Sequence, residues 1–328
     1  MACILAKYQR LQSHETKVIL IGAPDKYGIY KFYEEYISNS KLEELVEKCL
    51  EESELADVIH IHSRVDILLK VRRKFGRSKK IILHYHGTDI RRLYGRENQV
   101  PCRLHLSNIV LNSRTMAKVL RKKQFHIRAQ RLADVVIVST PDLLPLVSNA
   151  IYLPNPIDTD HFTADKFFSK PRGARALTMD TEAIDIGFSL NYCKQHNVNQ
   201  EIDVYNRIKD PIMYKDMPAF LNKYGLYVDV RYVDGNILEN LSKTALEALG
   251  CGLQVLDYQL KYHCGLPIEH YPINVISRLS SIYSNKRRLS IHFWYFLNFL
   301  SLVEDNFWDF LVLIRKSLSR IKQISVQE

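Results

Sequence analysis

Two carboxylates bracket a short segment that could hold a phosphorylated ligand. Glu239 and Glu247 are eight positions apart, a little over two helical turns, so a helix that reaches back to Glu239 would carry both near one face. Ser242, Lys243 and Thr244 lie between them, at the start of a helix-forming run that ends at two glycines. The first amide groups of a helix and the positive end of its dipole favour an anion. A ligand with hydroxyl groups at both ends and a diphosphate between them would suit this segment.

A histidine and an aspartate follow a predicted strand in the first half of the chain. Residues 80–85 have the pattern of a buried strand, and His86-Gly-Thr-Asp89 follows directly. Because ligands of doubly wound sheets bind at the carboxyl ends of strands, we expect His86 and Asp89 at a binding site. The alternative is a polar turn in which Asp89 caps the next helix.

Two His-x-His pairs, His60/His62 and His84/His86, have a spacing that metal sites use, since residues i and i+2 of a strand share a face. No further cluster of Asp, His and Glu follows at the strand ends. The pattern therefore favours strand histidines that hydrogen-bond near a sheet edge, and we predict no bound metal. A metal-dependent hydrolase built on these pairs is kept as an alternative function.

The rest of the chain supplies the elements that would position these residues. Predicted strands alternate with predicted helices, which indicates a parallel α/β protein. The strands are expected over 17–22, 57–62, 80–85, 107–112, 133–138, 175–178, 201–205, 227–232 and 253–256. The helices are expected over 2–12, 29–38, 41–53, 64–75, 181–196, 218–224 and 273–283. Prolines and a loss of periodicity between residues 151 and 162 indicate a linker, so we predict two domains, 1–157 and 158–285.

The composition limits the partners and the compartment. A chain of 328 residues is expected to form about two domains, and a formal charge of +10 with a pI near 9.2 suggests an anionic partner. Neither a zinc-finger nor an RNP-like motif is found, so we predict no nucleic-acid partner. Six scattered cysteines without a Cys-x-x-Cys spacing, and no recognisable signal peptide, favour a cytoplasmic protein with reduced thiols.

Three segments resemble the retaining glycosyltransferases of family 4. The spacing Glu239-x7-Glu247, joined to Ala-Leu-Gly-Cys-Gly at 248–252, resembles the family signature. Residues 133–162 resemble the end of the family's N-terminal domain, and His86-Gly-Thr-Asp resembles its histidine loop. The resemblance implies the GT-B fold, in which two Rossmann-like domains with parallel sheets face a central cleft. It also implies a hexosyltransferase-type enzyme that transfers a sugar from a nucleotide sugar with retention and needs neither metal nor cofactor.

The same resemblance implies a role for each candidate residue. Glu239 and His86 would be catalytic, with Glu239 on the hydroxyls of the donor sugar and His86 beside the transferred sugar. Glu247 would bind the ribose, and residues 242–244 would hold the diphosphate through backbone N–H groups. The acceptor is left open and is a glycan, a lipid-linked glycan or a protein.

The donor-phosphate site departs from the family pattern. Most members have an Arg and a Lys after the first strand of the second domain, and this pair is absent here. Lys209, Lys215 or Lys243 could substitute, and we assign Lys215, together with Asp89, to donor binding. The departure leaves open a degenerate homologue that binds a nucleotide or a partner without catalysis.

The beginning of the chain departs as well. The helix over 2–12 and the strand over 17–22 resemble the family's first helix and second strand. We therefore expect the first strand and its glycine loop to be missing, either because the start codon lies upstream or because the domain is curtailed.

The tail over 286–328 is apolar and basic. Leu289 to Val303 contains no Asp, Glu, Lys or Arg, but its 15 residues are fewer than the roughly 20 that span a bilayer. We expect helices that either contact the inner face of a membrane, as a peripheral protein does, or pack against the protein itself. Both alternatives stay open.

Overall fold

A computed structural model describes the chain over residues 1–21, 25–41, 43–94, 120–164, 173, 175–181, 184–198, 200–233, 236–283 and 290–294. These residues belong to one unit, Met1–Trp294, and the second unit, Tyr295–Glu328, lies outside the described residues.

The strands are β1 (Thr16–Ile21), β2 (Ile37–Ser40), β3 (Val58–His62), β4 (Lys80–Tyr85), β5 (Val135–Val138), β6 (Ala150–Tyr152), β7 (Ala176–Asp180), β8 (Ile202–Asn206), β9 (Leu226–Val228), β10 (Tyr232–Val233), β11 (Asn236–Ile237), β12 (Gln254–Leu256), β13 (Tyr262–His263) and β14 (Ser290–Trp294). The helices are α1 (Ala2–Leu11), α2 (Ile29–Phe32), α3 (Leu45–Leu55), α4 (Val65–Phe75), α5 (Thr88–Tyr94), α6 (120–132), α7 (Ile186–Gln195), α8 (Met217–Leu221), α9 (Lys243–Gly250) and α10 (Pro272–Tyr283).

Seven strands form the first sheet, in the order β2-β1-β14-β3-β4-β5-β6, and every neighbouring pair is parallel. The strands β3 and β4 are buried on both faces, as parallel strands between two layers of helices are. Val58 and Ile82 pack with α1 and α10 on one face, whereas Ile59 and Leu83 pack with α3 and α4 on the other. The alternation of side chains along each strand therefore separates two helical layers.

The position of β14 in this sheet concerns the first strand, which the sequence predicted to be missing. Ser290–Trp294 lies between β1 and β3 and pairs in parallel with both, with Ser290 opposite Thr16 and Val58. In a doubly wound sheet of order 3-2-1-4-5-6, this central position belongs to the first strand. Residues 290–294 therefore take the place of the strand that the sequence predicted to be missing.

This strand corrects the prediction for the tail over 286–328, for which we expected helices. Ser-Ile-His-Phe-Trp is rich in β-branched and aromatic residues, which favour a strand, and the neighbouring strands offer a hydrogen-bonding partner on each side. The tail residues other than 290–294 lie outside the described part of the chain, so its helices stay a prediction. Among the described residues, no helix is long and apolar enough to cross a membrane.

The second sheet has five strands in the order β13-β12-β9-β7-β8, of which β13 alone is antiparallel to its neighbour. The strands β10 and β11 form a separate antiparallel pair. The order β8-β7-β9-β12 is the 2-1-3-4 order of a doubly wound sheet. Two Rossmann-like parallel sheets with flanking helices give the chain a GT-B architecture, and the fold class expected from the sequence is confirmed.

Some predicted elements differ in detail. The helix expected over 29–38 is divided into α2 and a short 3-10 helix, Glu34–Tyr36, and β2 follows because pairing with β1 outweighs the weak strand propensity of Ile-Ser-Asn-Ser. The strand expected over 227–232 ends at Val228, and the strand expected over 107–112 lies outside the described residues. The predicted boundary after residue 157 falls within the segment that joins β6 to β7.

A single buried carboxylate ties this segment to both halves of the protein. The Asp158 side chain is fully buried and accepts hydrogen bonds from Lys7 Nζ at 2.7 Å, Tyr8 OH at 3.1 Å and Tyr33 OH at 2.7 Å. Tyr33 OH in turn lies 3.0 Å from the hydroxyl of Tyr214, which follows β8. The Asp158 carboxylate of the joining segment therefore binds α1 and the end of α2 directly, and it reaches the Tyr214 turn through Tyr33.

Replacing Asp158 by Asn should lower the free energy of unfolding by about 3 kcal/mol, because it leaves the partly buried Lys7 ammonium without its buried partner. The matched control is Asp160→Asn. Asp160 lies 2.9 Å from the same ammonium but is 62% exposed, so its loss should cost less than about 1 kcal/mol. Urea unfolding of the two variants measures the difference, and equal losses would contradict the role given to Asp158.

The central position of β14 is tested by Ile291→Pro. Proline removes a backbone N–H from a strand that is paired on both sides, so we expect a loss of about 2 kcal/mol or more. Ile291→Val keeps the N–H and the β-branched side chain and serves as the control. Unfolding curves that coincide for the two variants would place residues 290–294 outside the sheet.

Candidate functional site

The carboxyl edge of the second sheet gathers polar side chains at its switch point, which lies between β7 and β9. Asp180 ends β7, and Asp229 directly follows β9. Burial raises the pKa of the Asp229 carboxyl above its usual value, against the opposing effects of Arg231 and of hydrogen bonds from Ser242. Such an edge is where doubly wound proteins bind their ligands.

The helix α9 begins at this edge with an open first turn. Ser242 is its N-cap, and its hydroxyl accepts the Ala245 N–H at 2.9 Å. The Ser242 N–H itself donates to Asp229 Oδ2 at 2.6 Å, which fixes the helix start to the end of β9. The amides of Lys243 and Thr244 follow, and no acceptor for them lies among the described residues. Two N–H groups and the positive end of the helix dipole are thus available to an anion.

Two cations stand around this helix start. Lys243 Nζ lies 3.5 Å from Glu247 Oε1 and 5.5 Å from the ring centre of Tyr214. Arg231 Nε lies 3.1 Å from Asp229, and the same guanidinium donates to the backbone and the side chain of Asn240.

Another cation, Arg207, lies with its guanidinium 4.4 Å from the ring centre of Tyr27, a residue of the first half of the chain. The sequence prediction missed Arg207 and Arg231, because it considered only lysines as substitutes for the absent pair. A basic residue shortly after each of the second and third strands of this sheet, β8 and β9, would have indicated them.

The two glutamates are not on one helical face, which corrects the first expectation. Ser242 caps α9, so Glu239 lies four residues before the helix, in an exposed loop. Glu247 lies inside the helix and is only 3% exposed. The cap, which makes a better helix start than a glutamate does, ends the helix before it can reach Glu239.

His86 lies just beyond β4, and both nitrogens of its ring have protein partners. Nε2 lies 2.8 Å from Nδ1 of His62, and Nδ1 lies 3.2 Å from the hydroxyl of Ser139. Since Ser139 gives its one hydroxyl proton to the carbonyl of Tyr85, it must accept from His86 Nδ1–H. Burial, with the charge at Met1, lowers the pKa of His86 well below its usual value, so the ring is neutral and Nε2 accepts from His62.

Asp89 stabilises the loop His86–Asp89 by hydrogen bonds to the backbone of the same loop. Its carboxylate accepts from the amides of His86 at 3.2 Å and Gly87 at 2.8 Å, and from the hydroxyl of Ser63. Burial raises the pKa of this carboxyl, against those hydrogen bonds. Asp89 thus shapes a polar turn that carries His86, but it lies inside α5 and is not the cap of that helix that the polar-turn alternative expected.

Lys215 is exposed on the turn Tyr214–Asp216 and has no hydrogen bond or ion pair with a described residue. Its neighbour Tyr214, in contrast, is buried, and the Lys243 ammonium lies over the Tyr214 ring. Of the lysines proposed to replace the missing pair, Lys243 is therefore the one at the start of α9.

The amino group of Met1 links the two candidate segments electrostatically. It interacts with His86 in the first half of the chain and with Lys243 and Glu247 of α9 in the second half.

Among the described residues, His60, His62 and His84 have the geometry of a metal site, with one ligand nitrogen from each all within 4.8 Å of one another. All three are buried, at 0%, 1% and 0% exposure. A substrate does not reach such a group, and this burial argues against the metal-dependent hydrolase.

Comparison with known proteins gives similarity of structure but no match of sequence. No protein-family model matches the chain, and no curated protein sequence matches it. Among solved structures, the chain is similar to an alpha-glucosyltransferase in complex with UDP and a 13-mer DNA containing a central A:G mismatch. The TM-score is 0.49 with 12% identity, over 76% of this chain and 73% of that chain.

Proposed function

We propose that the protein is a glycosyltransferase that moves a sugar from a nucleotide sugar to an acceptor with retention at the anomeric carbon. The observation that carries this proposal is the open first turn of α9, which begins at the switch point of a Rossmann-like sheet. Lys243 is the first residue of this turn, and the Met1 amino group interacts electrostatically both with Lys243 and with His86 of the other sheet.

In the proposed complex, the donor diphosphate lies against the amides of Lys243 and Thr244, with the Lys243 ammonium beside it. Glu247, one turn further along α9, would accept a ribose hydroxyl. Glu239 would reach the hydroxyls of the donor sugar from its exposed loop.

The proposed reaction needs no protein nucleophile. The bond between the anomeric carbon and the diphosphate oxygen breaks, and the acceptor oxygen bonds to that carbon on the same face. The departing diphosphate takes the acceptor's proton. The α9 amides stabilise the negative charge that grows on the leaving group, which is a large electrostatic contribution in such sites.

Both ring nitrogens of His86 are hydrogen-bonded to protein groups, and this limits the role that we propose for it. A neutral imidazole that accepts from His62 and donates to Ser139 is not placed to remove a proton from the acceptor. In this proposal, His86 positions the transferred sugar by contact with its ring.

A degenerate homologue that binds a nucleotide without catalysis is the second candidate. The ion pair between Glu247 and Lys243 favours it, because both side chains would have to turn from each other to a ligand. Hydrolysis or transfer of a bound donor by the purified protein would exclude it. The acceptor, the cytoplasmic location and a membrane contact through 286–328 stay predictions.

Lys243→Ala should weaken the binding of a nucleoside diphosphate about tenfold or more, since a hydrogen bond to a charged group is worth about 1.5–3 kcal/mol. Calorimetry with UDP, GDP and ADP identifies the nucleotide and measures the loss. Lys194→Ala is the matched control, because Lys194 is exposed in the last turn of α7, at the helix end that points away from the carboxyl edge of the sheet, and the affinity of this variant should stay within about twofold. Equal effects of the two substitutions would contradict the proposed phosphate site.

Glu239→Ala and His86→Ala should each lower sugar transfer by about two or more orders of magnitude, the scale seen when a positioned group is removed from a charge-stabilising site. The rate of product formation at saturating donor measures this. Glu201→Ala, at a side chain that is 76% exposed on the far end of β8, serves as the control. Near-normal transfer in both test variants would remove these residues from the proposal.

A further inference from the structure

Four histidines form a stacked array on one face of the first sheet. His60 and His62 belong to β3, His84 belongs to β4, and His86 follows it; His62 and His84 are register partners. Residues i and i+2 share a face, so all four rings lie on the same side of the two strands. Neighbouring ring centres are 4.3 to 5.2 Å apart.

The array is held by ring-to-ring hydrogen bonds. His60 Nε2 lies 3.0 Å from His84 Nδ1, and His62 Nδ1 lies 2.8 Å from His86 Nε2. Burial disfavours the charged form of these rings. A neutral imidazole has one N–H and one nitrogen with a lone pair, and that lone pair is what a metal ion binds.

We propose that His60, His62 and His84 form a structural binding site for a divalent transition-metal ion such as Zn²⁺. Three nitrogens within 4.8 Å of one another, with no carboxylate among them, are a donor set that suits Zn²⁺, Ni²⁺ or Cu²⁺. Two nitrogens bound tetrahedrally to Zn²⁺ at about 2.0–2.1 Å stand about 3.3 Å apart. His60 Nε2 and His84 Nδ1, at 3.0 Å, need only a small separation to accept the ion between them.

The proton between these two nitrogens is accounted for within the rings. One of the two rings donates the present hydrogen bond. When the ion binds, that ring moves its proton to its other nitrogen, so both rings stay neutral and both lone pairs face the metal.

The third ligand is oriented by an independent feature, the hydrogen-bond chain through His86. His62 donates from Nδ1 to His86, and His86 donates from Nδ1 to Ser139. A neutral imidazole that donates from Nδ1 carries its lone pair on Nε2. Histidines that bind metals usually donate their other ring N–H in this way, which fixes the ring and its tautomer.

The site goes beyond the proposed sugar transfer and does not depend on it. Its ligands are buried at 1% exposure or less, so the ion would join β3 to β4 and would not touch a substrate. Its failure would therefore leave the proposal for α9 and the donor unchanged.

The test uses the full-length protein, freed of metal with a chelator and titrated with Zn²⁺ or Co²⁺. We expect one ion per chain, a Co²⁺ absorption spectrum of a four-coordinate site, and a higher thermal midpoint with metal. His84→Gln should weaken Zn²⁺ binding at least tenfold. His196→Gln removes an exposed histidine after α7 and should leave the affinity unchanged.

Equal Zn²⁺ affinity in His84→Gln and in the unchanged protein would overturn the site, as would an ion that His196→Gln displaces. If His84→Gln does not fold, X-ray absorption of the unchanged, Zn²⁺-loaded protein decides. Three imidazole nitrogens at about 2.0–2.1 Å support the site. A single imidazole, or no bound ion, rejects it.

Discussion

The buried carboxylate of Asp158 is the contact on which the relation between the two halves depends. A charge without water must be compensated, and Lys7, Tyr8 and Tyr33 do so from three points of the first half. The hydrogen bond between Tyr33 and Tyr214 extends this network to the second half. Since α1 also packs against α10, the joining segment is enclosed by elements of both halves.

The same segment reaches the candidate site through Gly250, the last residue of α9. A Cβ atom at this position would lie 2.9 Å from the carbonyl oxygen of Phe162, closer than such contacts occur. Glycine therefore lets the joining segment approach the helix directly. The orientation of α9, and of the amides at its other end, follows from this close approach.

Local patterns predicted much of the fold and part of the site. The strand β4, the histidine loop and α9 each carry their signal within a few residues, and the structure has them where the sequence placed them. The sequence also placed Glu239 just before this helix. Ser242, three residues later, is the cap that keeps the helix from reaching back to Glu239, so the two glutamates do not share a helical face.

Non-local pairing was beyond the sequence. The residue types of Ser290–Trp294 favour a strand, but the periodicity of a short apolar run does not separate a strand from a helix, and what decides is the open position between β1 and β3. The sequence prediction missed the position of Arg207 for a similar reason, because its partner Tyr27 lies far away along the chain. In both cases the deciding contact joins distant residues, which no short window contains.

The pairing of residues 290–294 with residues 16–20 and 58–61 has a consequence for biosynthesis. A ribosome releases β1 and β3 long before β14, so the nascent first sheet carries two unpaired edges while the second sheet is completed. Open edges of this kind attract other strands, and closure over such a long stretch of chain is slow. The first sheet therefore cannot be completed until residues 290–294 have left the ribosome, and until then its open edges are exposed to pairing with other chains.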